Sequence, residues 1–293
     1  MSDFSRRDFL KTGLAAGALA GAGTIALASE RKTATDWVTL GRSGVKVTRL
    51  AFGTGTMGGH VQEALGQQEF TRQVRYAYDR GIRFFETAES YGGTPRMLGA
   101  ALKGLPRESY RIMHKVTTVR DVDPHQKLEE LRQVVDTEYL DVMLLHFQHT
   151  PTWPQDTVRW QDAILAAQDK KTIVSHGASV HGLPALRLVP GNQWLDIAMI
   201  RINHKGTRMD AEIPDAPVPG NVDEVVSHIH QVKKEGMGVV SMKLAGEGAF
   251  NREDRQKAMR FAFQTAGVDS VTVGYKSTAE IDEALENLNL ALA

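Results

Sequence analysis

An acid, a phenol, an ammonium and an imidazole occur at the ends of three successive apolar runs in this chain of 293 residues. Glu86 ends the run that begins at Gly81, and Tyr91 follows five residues later; His114 and Lys115 end the next run, and His146 ends the one after that. A free phenol has a pKa of about 10, which makes it, unaided, a poor general acid at neutral pH. A lysine ammonium within about 4 to 6 Å favours the phenolate and lowers that pKa by roughly one to three units. A carboxylate on the lysine's far side holds the ammonium charged and in place, and an imidazole can hydrogen-bond the same substrate oxygen. Glu86, Lys115, Tyr91 and His146 are such a set, suited to donating a proton to an oxygen. Any one of them alone is more often a solvated rim residue or a structural histidine, and it is their recurrence at consecutive run ends that argues for a site.

The elements that would position them alternate along the chain. Eight strand-like segments fall at residues 48–52, 83–85, 110–114, 141–145, 173–177, 196–202, 238–242 and 270–273. Amphipathic stretches separate them: Phe70, Val74, Ala77 and Tyr78 share one helical face ahead of Gly81, and Leu128, Leu131 and Val135 repeat the spacing. Val222, Val225, Val226, Ile229 and Val232 do the same, and Ser277 with Glu280 forms a capping box before Ile281, Ala284, Leu285 and Leu288. Strand and helix in strict alternation predict a TIM (β/α)8 barrel, whose active site lies at the C-terminal ends of its strands. Residues 37–46 predict a hairpin that turns at Arg42, Ser43 and Gly44 and plugs the barrel's bottom. Residues 209–220, with three prolines, predict an irregular loop bordering the site. Trp153 and Trp160 are candidates for pocket lining, with helical spacing favouring the core for Trp160. The chain's end at Ala293, directly after the last helical stretch, predicts an open pocket.

Composition narrows the function further. Lys plus Arg equals Asp plus Glu at 35 each, so no overall field favours nucleic acid, and a small-molecule partner fits better. The absence of cysteine excludes disulfides and thiolate chemistry. His228 and His230 point to different helical faces, and no His-x-His follows the first strand, so no metal site is expected. Residues 1–28 stand apart: SRRDFLK precedes a run of Gly, Ala and Leu that closes on Ala26-Leu27-Ala28. The heptad resembles a twin-arginine export signal, which implies the twin-arginine export machinery as a partner and a periplasmic location, or a membrane tether if the signal is not cleaved. The expected division is a signal peptide at 1–28 and a single barrel domain at 29–293.

From Leu40 onward the sequence resembles the aldo-keto reductase family. The matching stretches, in order, are LGRSGVKVTRLAFGTGTMGG, GIRFFETAESYGGTPRMLGAAL, HKV, LDVMLLH, HGASVHG and VGYKSTAEIDEALENL. The resemblance implies an NAD(P)H-dependent oxidoreductase that reduces a small-molecule aldehyde or ketone. It implies Tyr91 as general acid, Lys115 as its pKa-lowering partner and His146 as the group that orients the carbonyl, with Glu86 standing where the family has aspartate. It implies a nicotinamide cofactor lying extended across the barrel mouth, NADP(H) ahead of NAD(H), held by Gly53, Thr54, Ser179, Arg201, Asn203, Lys243, Lys276 and Ser277. Within that set Lys276, at a helix start, is the candidate for the 2′-phosphate of NADP. Val180 replaces the usual asparagine and Ile202 the usual stacking aromatic. These departures and Glu86 leave open a second reading, a dinucleotide-binding redox sensor with weak catalysis, and a third, a barrel that has lost its cofactor.

Overall fold

Apolar and polar residues alternate on both sides of Gly44, and the chain there folds back on itself. The computed structural model describes residues 31–213 and 218–293, and in it β1 (Trp37–Thr39) pairs antiparallel with β2 (Lys46–Thr48), Val38 opposite Val47. Leu40 N–H donates to the Val45 carbonyl at 2.8 Å across the turn, and Gly41 and Gly44 supply positive φ. The export-signal segment lies outside the described residues.

The chain continues through β3 (Leu50–Gly53), α1 (His60–Glu63), α2 (Gly66–Asp79), β4 (Phe84–Glu86), α3 (Thr94–Leu102), β5 (Arg111–Thr117) and α4 (Pro124–Val134). Then come β6 (Leu140–Gln148), α5 (Trp153–Asp156), α6 (Val158–Asp169), β7 (Ile173–Val180), α7 (Leu183–Leu186), β8 (Ile197–Arg201) and α8 (Val222–Lys234). It ends with β9 (Gly238–Met242), α9 (Arg252–Arg260), β10 (Ser270–Gly274) and α10 (Thr278–Leu292). Strands β3 to β10 are parallel and close into a barrel, with β10 bonded to both β9 and β3. The (β/α)8 expectation therefore holds, and every expected strand is present. β5, β6 and β7 each run three residues beyond the expected end. The apolar pattern stops there, but the parallel ladder continues because neighbouring strands still offer donors and acceptors.

Two cores follow from strand alternation. Inside the barrel, Ala51, Phe84, Met113, Val142, Leu144, Ile197, Met199, Val240 and Met242 pack together with Leu40, Val45 and Val47 of the hairpin. The hairpin closes the bottom as expected, and burying those three side chains is worth about 1.5 to 3 kcal/mol each. Gly41 bridges Met237 at the start of β9, where a Cβ on Gly41 would lie 2.3 Å from the Gly236 carbonyl oxygen. On the outer face, Phe52, Phe85, Ile112, Met143, Leu145 and Ile200 pack against the helices. Trp153 and Trp160 belong to that outer core, 1% and 2% exposed, and Trp153 Nε1 donates to the Ala185 carbonyl at 3.2 Å. Neither lines the cavity that holds Glu86 and Tyr91: an indole on a helix facing the sheet gains more from burial than from the rim. Among the described residues no helix is long and apolar enough to cross a membrane.

His114 is buried on the outer face of β5, where its Nδ1 accepts the Lys115 N–H at 2.8 Å. Burial holds its pKa down at about 4, against about 6.5 when free. A base with a depressed folded pKa gives its full stability above the unfolded value and loses it as pH falls below that value. Between pH 7 and pH 5 His114 alone should cost about 2 kcal/mol. Thermal melts should show Tm falling across this interval, and a His114→Gln variant should show a shallower fall; equal slopes would refute the assignment.

Candidate active site

The barrel rim is built by the same alternation that builds the core. Gly53 lies two residues beyond Ala51, Glu86 beyond Phe84, Lys115 beyond Met113, His146 beyond Leu144 and Arg201 beyond Met199, so each faces inward one layer above the apolar plug. Register aligns them: Gly53 pairs with both Gly274 and Glu86, Glu86 with Met113, and Thr117 with His146.

At the centre Lys115 Nζ and Glu86 Oε1 form an ion pair, both side chains fully or almost fully buried. Glu86 Oε2 accepts from Thr272 Oγ1 at 3.2 Å, and Lys115 Nζ donates to the Thr87 carbonyl at 3.3 Å. Gly53 makes room for the glutamate, since a Cβ there would stand 3.1 Å from Glu86 Oε2 and 2.6 Å from Thr272 Oγ1. Burial drives the Lys115 pKa well below its ordinary value and the Lys243 ammonium adds to this, so contact with Glu86 is what keeps the charge.

Tyr91 leaves β4 on a turn in which its N–H donates to the Ala88 carbonyl at 3.1 Å. Its ring lies over the lysine, with Lys115 Nζ 4.6 Å from the ring centroid. Gly55 and Gly59 form the other wall: a Cβ on Gly55 would meet the Tyr91 ring and hydroxyl at 2.4 to 2.6 Å, and one on Gly59 the Tyr91 carbonyl at 2.6 Å. Here the structure departs from expectation. The ammonium faces the ring, no hydrogen bond among the described residues joins it to the phenol oxygen, and desolvation pushes the Tyr91 pKa up.

His146 stacks edge-on against Tyr91, centroids 5.6 Å apart, and its Nδ1 shares a hydrogen bond with Ser90 Oγ at 3.2 Å. Burial, then the charges of Lys115, His114 and Lys243, hold its pKa well below the usual range, so the imidazole is neutral. His181 is a residue the motif reading passed over. It lies two beyond Ser179, its ring 6.1 Å from that of His146 and 4.5 Å from that of Phe147, and its Nε2 is 3.4 Å from Ser179 Oγ. Burial and then Arg201 depress its pKa in the same way. The alternation rule, extended one step past the end of β7, points to it. Phe147 is turned outward by a register shift in β6, with φ of 55°, and stands 39% exposed at the rim.

One cavity is lined by Glu86, Tyr91, Gly53, Met242 and Lys243 and by Lys276 together with Glu280 and Asn287 of α10. Of the residues expected to hold a cofactor, Gly53, Lys243 and Lys276 line it. Lys243 forms an ion pair with Glu247, whose Oε2 accepts the Met57 N–H at 2.9 Å and ties the loop after β9 to the loop after β3. Ser179 is buried against Met242, its Oγ 4.0 Å from the sulfur. Ser277 caps α10, accepting the Glu280 N–H at 3.3 Å.

Three expected residues are held in buried networks. Thr54 Oγ1 donates to Thr87 Oγ1 at 2.9 Å and accepts from Thr94 Oγ1 at 3.2 Å. Arg201 Nε and Nη2 reach Asp210 Oδ1 at 2.9 and 2.7 Å, and the same oxygen accepts the Gly182 N–H at 2.6 Å. Asn203 Oδ1 accepts the N–H groups of Lys205 and Thr207, both at 3.1 Å, while its Nδ2 donates to the carbonyls of Thr207 and Lys243 at 2.7 and 3.3 Å. Arg201 and Asn203 thus anchor the loop after β8. Val180 and Ile202 are fully buried.

Residues 49–257 match the sequence model of the Aldo/keto reductase family, and residues 3–23 match that of the twin-arginine translocation pathway signal sequence. Among curated proteins, an aldo-keto reductase of Glycine max is 32% identical over 134 residues, covering 41% of this chain and 39% of that protein. The L-galactose dehydrogenase of Arabidopsis thaliana is 23% identical over 290 residues, covering 83% of this chain and 85% of that protein. The chain therefore spans well under half the length of the first relative and most of the second. Among solved structures, one of Pseudomonas aeruginosa described as an aldo-keto reductase superposes with a TM-score of 0.72 at 20% identity, covering 90% of this chain and 99% of the other. An aldo-keto reductase of Klebsiella pneumoniae in complex with NADPH gives 0.67 at 15% identity, covering 88% and 90%. At these identities the likeness is one of fold.

Removing one member of a buried ion pair leaves the other charge unpaired, at a cost of about 3 to 5 kcal/mol, whereas removing both costs far less. Lys115→Met and Glu86→Gln should each lower unfolding free energy by that amount, and the double variant should recover most of it. Additive losses in denaturant titrations would show that the pair does not act as a unit.

Proposed function

The chain belongs to the aldo/keto reductase family and is an NAD(P)H-dependent oxidoreductase, and on that premise we propose that it reduces an aldehyde or ketone to an alcohol with Tyr91 as proton donor. The observation that carries this reading is the convergence of Lys115 and His146 on Tyr91 and Glu86, which themselves line a cavity that continues to the residues of α10. The residues present fit such a group: Gly53 and Gly274 leave the floor bare, and Lys243, Arg255 and Lys276 stand along its length.

The nicotinamide supplies the hydride when bound. The protein's part is the proton and the geometry. Tyr91, enclosed and with a raised pKa, keeps its hydroxyl proton throughout the neutral range and offers it to a carbonyl oxygen that gains charge as hydride arrives. The Lys115 ammonium beneath the ring stabilises the phenolate left behind, and Glu86 fixes that ammonium. His146, being neutral, shares a hydrogen bond with the substrate oxygen without competing for its proton. Ser90 sets its ring orientation. Regenerating the acid is favourable because the phenol binds its proton tightly. The reverse reaction needs a phenolate that burial opposes, so reduction outpaces oxidation near pH 7 and oxidation quickens as pH rises.

The substrate is a small carbonyl compound. The Arabidopsis relative is named for a sugar, L-galactose, and two neutral imidazoles side by side at the rim suit a hydroxylated substrate of that kind. The family carries the enzyme reading; the raised Tyr91 pKa, beside Glu86, Val180 and Ile202, favours slow turnover and hence a sensor role. The export signal at residues 3–23 supports a periplasmic enzyme delivered by the twin-arginine machinery, which carries folded proteins. Such an enzyme would acquire its dinucleotide before export and release it slowly.

NAD(P)H oxidation by the barrel domain with reactive aldehydes and hydroxyaldehydes should be measurable and should fall at least a thousandfold in Tyr91→Phe. Gly55→Ala, whose Cβ would displace the phenol, should lose on the order of a hundredfold in kcat/KM with its fold intact by circular dichroism. Turnover that survives Tyr91→Phe would remove the phenol from the mechanism. Dinucleotide binding with no turnover on any carbonyl would turn the reading to the sensor.

A further inference from the structure

Resting on the reductase reading, we infer that the cofactor groove selects NADH over NADPH, with Glu280 and Glu283 as the discriminating residues at its outer end. A hydride donor must place its nicotinamide by Tyr91 and Glu86, the inner end of the cavity. The cavity is also lined by Lys276 and by Glu280, Glu283 and Asn287 along one face of α10, so the adenosine half lies there.

NADPH differs from NADH by one phosphate, which carries about two negative charges at neutral pH and three strong acceptor oxygens. Seating it requires uncommitted N–H donors and surplus positive charge. At the start of α10 the charges of Lys276 and Arg255 are balanced by Glu280 and Glu283, and the backbone N–H groups of Lys276 and Glu280 are already taken. Glu280 turns its carboxylate back to accept the Lys276 N–H at 2.7 Å, and its own N–H is taken by Ser277 Oγ. The seat that the helix dipole would give a phosphate is thus filled by the chain's own anion.

The nearby cation is engaged as well. Arg255 donates from Nε and Nη2 to the two oxygens of Glu283 at 2.7 and 3.0 Å, and from Nη1 to the Phe250 carbonyl at 2.7 Å. Lys243, further in, pairs with Glu247. Asp282 adds no cation to the cavity, being joined to Arg80 and Tyr76 on the far side of the helix. Lys276 therefore lines the groove's end with Glu280 and with a Glu283 that Arg255 already holds, so the side-chain charges there cancel. A ribose diol can donate hydrogen bonds to those carboxylates, whereas a phosphate is repelled by them.

Fluorescence titration of the full chain should give a Kd for NADH at least tenfold below that for NADPH, a gap that narrows as salt is added. ADP-ribose should compete with NADH more strongly than its 2′-phosphorylated form, which reads the outer end without any turnover. Glu280→Gln alone should tighten NADPH severalfold, and E280Q/E283Q should tighten it about tenfold or more while NADH changes little. NADPH binding as tightly as NADH to the native chain, or a ratio unmoved in Glu280→Gln, would overturn the selection and leave the reductase reading standing. Failure of both dinucleotides and of ADP-ribose to bind would overturn both.

Discussion

A lysine and a glutamate meet inside the barrel mouth with almost no solvent, and the arrangement of the site depends on keeping that pair intact. Two charges taken out of water are costly, and their mutual attraction offsets the cost only when their remaining hydrogen-bonding capacity is met. Thr272 takes the second oxygen of Glu86 and the Thr87 carbonyl takes a proton of Lys115. The absence of a side chain at Gly53 gives the longer acid its space. The glutamate thereby reaches Lys115 within a fully packed rim.

The pair sets the state of its neighbours. Lys115 lies beneath the Tyr91 ring and its charge helps to hold His146 neutral. His181, beyond His146, lies in the same cationic field and is neutral as well. The result is one fixed cation surrounded by groups that keep or share protons, an environment suited to protonating an oxygen once. It is poorly suited to taking a proton away. The phenol's raised affinity for its proton comes from enclosure, the same enclosure that keeps water from a hydride donor.

Outward from this centre the cavity changes character. Part of it is lined by glycines and methionine, and the rest by glutamates and cations, of which Lys243 with Glu247 and Arg255 with Glu283 are joined in pairs. Arg201 and Asn203, polar and inward by strand parity, are turned to structural use by the loop after β8, which offers Asp210 and the Thr207 carbonyl as nearer partners than any ligand. Inward parity brings a residue to the mouth, and local hydrogen bonds decide whether it remains available there.

The amino-acid sequence determined the alternation of strands and helices, the hairpin, the capped last helix and the inward parity of Glu86, Lys115 and His146, because each of these is a local pattern of period 2 or 3.6. It did not determine where strands end, since the ladder of β5, β6 and β7 continues on hydrogen bonds from neighbours far away in the chain. Nor did it determine which polar residues line the cavity. Thr54, Arg201 and Asn203 look like Lys243 and Lys276 in one dimension, and their partners come from other strands and loops. The pKa of Tyr91 was decided in three dimensions for the same reason: a charge next to a ring and a charge next to a hydroxyl have the same sequence spacing. Only tertiary packing fixes a lysine under the one and away from the other.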